Sequence, residues 1–330
     1  NNMNKMSRKK ITIISILVIL IATLIGGGLF TGNFFVEYAL LRPKDGATQS
    51  SQDNRQPNYI PYGNEEENIK KEWEAYEEWA QNVTSQPVSI QSEDNLTLRG
   101  LQYNTNPDSH KWAILVHGYT SSNQNMRREA RRFSLQGYNV LTPNMRAHGD
   151  SDGEYIGMGW LDRKDMLLWI QSIIAQDKDA EIVLYGESMG GATVMMTSGE
   201  QLPSNVKAVV EDCGYTSVYE MFTAQLQYRF SLPEFPIMPL AQFMANIKAN
   251  YDIKEASALE QIKKTTVPIM FIHGSNDNYV PTEMVYRLYE ACPTEKDLLV
   301  IEGADHGASS DVDPDTYYTR VFSFLSKYVN

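Results

Sequence analysis

From residue 86 onward the chain alternates short apolar runs with longer segments of helical periodicity. The runs at 88–90, 96–101, 113–116, 139–141, 182–185, 208–210, 269–272 and 298–301 predict strands. Helical spacing fills 123–136, 158–176, 189–201, 282–291 and 314–328. "AILV", "IVLY" and "IMFI" are apolar throughout, as parallel strands covered on both faces should be. The pattern predicts an α/β fold: a doubly wound, mostly parallel, eight-stranded sheet, its first two strands close enough to form an antiparallel hairpin. Between Gly214 and Thr266 no strand is evident. That stretch is apolar, Met-rich and broken by proline, and predicts a helical cap at about 215–256.

The N-terminal part follows another pattern. Residues 1–10 form a basic tail with Lys5, Arg8, Lys9 and Lys10. Residues 11–30, "ITIISILVILIATLIGGGLF", carry no charge. As a helix at ~1.5 Å per residue they reach ~30 Å, the hydrocarbon thickness of a bilayer. Their length favours a transmembrane anchor over a cleaved signal peptide. Only Arg42 and Lys44 follow soon after, so the basic excess keeps the N-terminus in the cytoplasm and sends the bulk of the chain outside. Residues 31–63 are expected to be a linker, polar over 42–62. Residues 64–85 predict an amphipathic helix, with Ile69, Trp73, Tyr76 and Ala80 on one stripe. It is expected to dock on a catalytic domain spanning 86–330; a partner-binding helix is the alternative. No internal repeat is visible.

Composition narrows the partners. The 330 residues are 42% apolar, enough for a sizeable core, and the formal net charge is −12. An acidic chain is a poor match for nucleic acid, which wants a basic face. Two cysteines, Cys213 and Cys292, make no disulfide framework and read as buried small apolar residues, although one bond between them is possible. There is no H-E-x-x-H and no Cys/His cluster, so neither a metal nor an organic cofactor is called for.

The stretch with the most chemistry is "LYGESMGG", which places Ser188 between Gly186 and Gly190 at the end of an apolar run. A serine on a sharp strand-to-helix turn needs bare neighbours two positions away on either side. The helix that starts near Met189 aims its free N–H groups and positive end at the turn. Such a serine needs a base, and the base an orienting acid. His306, in "EGADHG", follows Ser188 with Asp277 of "FIHGSNDNYVP" between them. Asp212 is a rival acid, since strand ends on one edge converge. Asp305 reads as a loop cap. His117, His148 and His273 close strands or turns and read as structural, and His110 as a solvated loop residue.

The stretches "ILVHGYTSS", "NMRAHGDSDG", "LYGESMGG", "FIHGSNDNYVP" and "EGADHG" occur in this order over residues 86–330. Together they resemble the α/β-hydrolase superfamily. With the N-terminal span, and with "IGMGWLDRKDMLLWI" and "VEDCGYTSVYE", the chain is similar to membrane-bound cell-surface serine hydrolases of Gram-positive bacteria. The resemblance implies that Ser188 is the nucleophile, His306 the general base then acid, and Asp277 the residue that orients it. It also implies an oxyanion hole built from the backbone N–H groups of Met189 and Tyr119. "RAHGDSDG" departs from a commoner Arg-Gly-His-Gly at Ala147, in a loop that is structural in the family. The activity implied is that of a serine esterase acting through an acyl-enzyme on a small-molecule acyl or ester substrate. Peptidase, thioesterase or acyltransferase chemistry uses the same triad. A tethered binding protein without turnover is the reading from another class.

Overall fold

The computed structural model describes residues 8–43 and 59–330. The tail to residue 7, with Lys5, and residues 44–58 of the expected linker, with Lys44, lie outside them.

The uncharged stretch belongs to one 33-residue helix, α1 (Arg8–Leu40). The linker expected from residue 31 is therefore corrected at its start. In "GNFFVEYALL" apolar side chains continue at helical spacing, and Val36 and Leu40 are buried against the rest of the protein. Beyond the helix the chain stays attached. Leu41 bridges Tyr155, and the Arg42 guanidinium donates to the carbonyls of Gly149 at 2.6 Å and Ser151 at 2.7 Å. A second helix, α2 (Glu65–Ala80), opens on three glutamates that suit its positive end. It docks through Asn68, which donates to the Asp311 carbonyl at 2.9 Å, through a Glu72–Arg132 ion pair, and through Trp73 beneath Arg128.

The sheet begins with a hairpin of β1 (Gln86–Gln91) and β2 (Thr97–Tyr103), running from Gln86 opposite Gln102 to Gln91 opposite Thr97. Next come β3 (Lys111–Val116), α3 (Arg127–Leu135) and β4 (Asn139–Pro143). The helix expected at 123–136 is split: a short 3₁₀ turn, capped by the Ser122 hydroxyl, precedes α3. Then follow α4 (Asp162–Gln176), β5 (Glu181–Glu187), α5 (Met189–Ser198) and β6 (Val206–Asp212). Helix α4 starts later than expected from 158–176 because Met158 and Gly159 take positive φ and turn the chain. The long insertion forms α6 (Val218–Phe230) and α7 (Glu234–Lys248). The chain ends with α8 (Ala258–Ile262), β7 (Ile269–Gly274), α9 (Glu283–Ala291), β8 (Lys296–Ile301), α10 (Ser309–Val312) and α11 (Pro314–Leu325).

The strand order is β1-β2-β4-β3-β5-β6-β7-β8. β2 pairs antiparallel with β1 and β4, and every later pairing is parallel. One face packs on α4, α5, α8 and α9 and the other on α3 and α11, so the central strands are buried on both sides. Successive crossovers leave β3 and swing from β4 on one side to β5 on the other, which opens a crevice at the carboxyl ends of these strands. The loops after β3, β5, β7 and β8 meet there.

Candidate active site

Ser188 occupies the turn between β5 and α5 with φ 57° and ψ −115°, a conformation an L-residue adopts only when its surroundings enforce it. Two glycines permit it. A Cβ on Gly186 would lie 2.1 Å from the Gly190 carbonyl oxygen, and one on Gly190 would lie 2.1 Å from the Val116 carbonyl oxygen. The Ser188 N–H donates to the Asp212 carbonyl at 2.8 Å, which ties the turn to the neighbouring strand.

His306 lies in the loop after β8 and Asp277 in the loop after β7. His306 Nδ1–H donates to Asp277 Oδ2 at 2.7 Å, and Ser188 Oγ donates to His306 Nε2 at 2.8 Å. The carboxylate at Nδ1 sets the tautomer that leaves Nε2 free to accept. Asp277 Oδ1 accepts from the N–H groups of Tyr279 at 2.9 Å and Val280 at 2.8 Å. Burial opposes charge on Asp277, but the neighbouring His306 and His273 outweigh it and hold the carboxyl well below its usual range. Ser188 is 5% exposed and the other two side chains are fully enclosed, so the contacts act in a low dielectric.

The two residues expected to supply oxyanion donors border Ser188. Met189 is the first residue of α5, where N–H groups lack partners within the helix. The loop after β3 passes over the serine: a Cβ on Gly118 would sit 3.4 Å from Ser188 Cβ, and Tyr119 is the next residue. Its hydroxyl donates to the Ala39 carbonyl of α1 at 2.8 Å.

The other candidates have different partners. Asp212 accepts from the Tyr317 hydroxyl at 2.8 Å, and burial pushes its carboxyl up to about 6. Asp305 accepts from the His306 N–H at 2.8 Å, as a loop cap does. His117 and His148 accept from the N–H groups of Met145 and Thr120, and burial pushes them down to about 3 and about 4. They brace loops as neutral rings. His110 is exposed and pairs with Asp177 at 2.9 Å. Ala147 takes φ 61°, the left-handed conformation that glycine adopts more readily. Both cysteines are free and buried. Among the described residues, Cys213, Asp277 and His306 bring metal-ligating atoms within 4.8 Å of one another. Burial keeps the Cys213 thiol protonated, however, and the other two are bonded to each other.

A cavity of about 290 Å³ opens beside Ser188. Tyr215, Met221, Leu226, Ile237 and Met238 line it from the sheet edge and the cap, and Phe35, Val36 and Leu40 line it from α1.

Residues 124–330 match the prolyl oligopeptidase family. This chain belongs to the prolyl oligopeptidase family. It is a serine hydrolase of the α/β-hydrolase superfamily. Its relatives in the superfamily are varied. It is 28% identical to the uncharacterized protein YqkD of Bacillus subtilis over 66% of this chain and 72% of that one. It is 22% identical to a thermostable monoacylglycerol lipase of a Bacillus strain, over 65% of this chain and 90% of the lipase. Among solved structures, the esterase Pf2001 of Pyrococcus furiosus superposes with a TM-score of 0.62 at 25% identity, over 76% of this chain and 96% of the esterase. The family match begins after Tyr119, so the loop over Ser188 and the wall supplied by α1 belong to the part outside it.

Two features of the site were not anticipated. His273 Nε2 lies 3.2 Å from Asp277 Oδ2 and also donates to the Val280 carbonyl. Burial opposes charge on His273, but Asp277 and Glu211 push it up to about 9. Its position at the end of "IMFIHG", on the strand that leads to Asp277, was the available signal. The second feature is the role of residues 35–41 as a pocket wall, signalled by the apolar run after the span.

Proposed function

We propose that this hydrolase is an anchored carboxylesterase working on the outer face of the cell membrane, with Ser188 as nucleophile, His306 as general base then acid, and Asp277 as its orienting carboxylate. The observation that carries the reading is the pair of short hydrogen bonds from Ser188 through His306 to Asp277, placed at the mouth of an apolar cavity. Ser188 Oγ attacks the ester carbonyl carbon as its proton passes to His306 Nε2. The N–H groups of Met189 and Tyr119 receive the charge that develops on the carbonyl oxygen; a donor of this kind contributes ~3–4 kcal/mol. The alcohol leaves as the ester C–O bond breaks, taking the proton from His306. Water, deprotonated by the same imidazole, then releases the acid from Ser188.

The ester preference draws support from the apolar lining, which suits an acyl chain, and from the esterase and the monoacylglycerol lipase among the relatives. The family match favours a second reading, amide cleavage. The outward orientation draws support from the basic residues ahead of the span. Ser188→Ala is expected to abolish turnover of p-nitrophenyl butyrate and labelling by a fluorophosphonate probe, with the fold retained. Full activity in that variant overturns the assignment. A matched panel of ester, thioester and peptide amide substrates decides between the two readings.

A further inference from the structure

We propose that the substrate is a long-chain fatty-acyl ester of a membrane lipid, drawn from the bilayer along the seam between α1 and the cap with its acyl tail trailing toward the membrane. This rests on the ester-hydrolase reading above and adds its substrate class and route.

The anchor and the pocket are one structure. Phe35, Val36 and Leu40 line the cavity from α1, and the end of that helix is fastened to the domain by the Tyr119 hydroxyl and by Arg42. Phe35 is five residues past Phe30, where the stretch from Ile11 has already spanned ~30 Å of hydrocarbon, hence ~7.5 Å beyond the hydrocarbon edge, about where the headgroup layer ends. Ala39, which accepts the Tyr119 bond over Ser188, is ~13 Å beyond that edge. One leaflet's hydrocarbon is ~15 Å deep. An ester carbon raised to Ser188 therefore takes most of its chain out of the bilayer, and that chain needs an apolar path.

The cap supplies the other side of the path. Helices α1 and α7 run side by side in the same direction. A Cβ on Gly28 would meet Leu240, one on Gly32 would meet both Leu240 and Met244, and Lys248 pairs with Glu37 at 2.6 Å. The spacing Gly28-x-x-x-Gly32 allows the close approach, as small residues do between membrane helices. Helix α7 therefore descends to the level of Gly28, within the span. Its inward side, with Ile237, Met238 and Ala241, lines the cavity. Its outward side is apolar too: Phe243 is 54% exposed and Ile247 61%, and Phe235, in the non-helical turn at the start of α7, is 77% exposed. A helix apolar on both sides belongs between a core and a lipid phase, and here the outer side continues the lipid-facing surface of α1.

The test uses the full-length chain in vesicles of non-hydrolysable ether phospholipid. These are doped in separate arms with 1-monooleoylglycerol, oleoyl-lysophosphatidylglycerol or dioleoyl-phosphatidylglycerol, and p-nitrophenyl butyrate is the soluble reference. At least one oleoyl arm should be hydrolysed, and the arm that responds names the headgroup. Phe235→Asp with Phe243→Asp, outside the cavity lining, should lower oleoyl-ester turnover tenfold or more and change butyrate turnover less than twofold. Val36→Trp, which fills the cavity from the α1 side, should lower the oleoyl-to-butyryl ratio at least tenfold. Butyrate hydrolysis with no oleoyl arm hydrolysed overturns the proposal and leaves the esterase reading standing. A proportional loss of both activities in the double variant also overturns the proposal. If the fluorophosphonate leaves Ser188 unlabelled and no ester is cleaved, the underlying reading falls as well.

Discussion

Asp277 collects donors from four directions: two backbone N–H groups on one oxygen, and His306 and His273 on the other. That number explains how a fully enclosed carboxyl stays ionised. Because its folded-state pKa is depressed, the charge contributes stability that is complete above the ordinary carboxylate range, near pH 4, and is lost as the pH falls below it. Asp277→Asn should keep the imidazole nearby but release its tautomer. A loss in kcat on the order of 10⁴-fold is expected, the size seen when such an aspartate is replaced in another triad. Thermal unfolding of the same variant should show a deficit that is constant from pH 8 down to about pH 4 and shrinks as the pH falls further. Asp277 was legible in the sequence because the order Ser, Asp, His and the strand-end positions pointed to it. His273 was not assigned to it, because contact across a tight loop depends on the loop's path.

At the scale of elements, the contact between α1 and α7 is the least ordinary. Gly32 lies so close to α7 that an added Cβ would sit 2.6 Å from the Leu240 carbonyl oxygen and 2.9 Å from Met244 Cγ. Backbone on the far side cannot yield as a side chain end can. Gly32→Leu should therefore cost about 1–3 kcal/mol, the usual range for overpacking, or separate the helices. A lower unfolding temperature, with a larger loss on long-chain than on short-chain esters, is the expected result; unchanged values would show that the two helices do not form one wall. The strand-helix alternation, the hairpin and the cap insertion could be read from apolar periodicity. The continuation of α1 to Leu40 was obscured because residues 31–41 mix Thr, Asn and Glu with apolar residues, and their partners lie in a segment some two hundred positions away.

Across the whole molecule, buried acids near the sheet's carboxyl edge set a common pH response. Burial pushes Glu211 up to about 8 and Asp212 up to about 6. His273 is held up at about 9 by its acidic neighbours, against the effect of burial. Each folded-state value lies above its unfolded one, so the folded protein holds more protons. These contributions are complete below the unfolded values and disappear as the pH climbs through the folded ones. Stability should therefore fall between about pH 5 and pH 9. Glu211→Gln keeps an acceptor for the Gly214 N–H and removes the cost of ionisation. It should raise the unfolding temperature at pH 8 by about 2–4 °C per kcal/mol released, and flatten the slope. An equal slope in the variant would assign the response to other groups.

The sequence alone determined the class of fold, the serine turn and the chain order of the three side chains proposed to react. Those features are local: a period of two or 3.6, a glycine two residues either side of Ser188, a histidine after the last strand. Tertiary structure decided what surrounds them. It placed Asp277 rather than Asp212 at 2.7 Å from His306, set His273 beside that carboxylate, and made α1 a wall of the cavity. Such outcomes depend on distances between segments far apart in the chain, which close packing fixes and periodicity does not record.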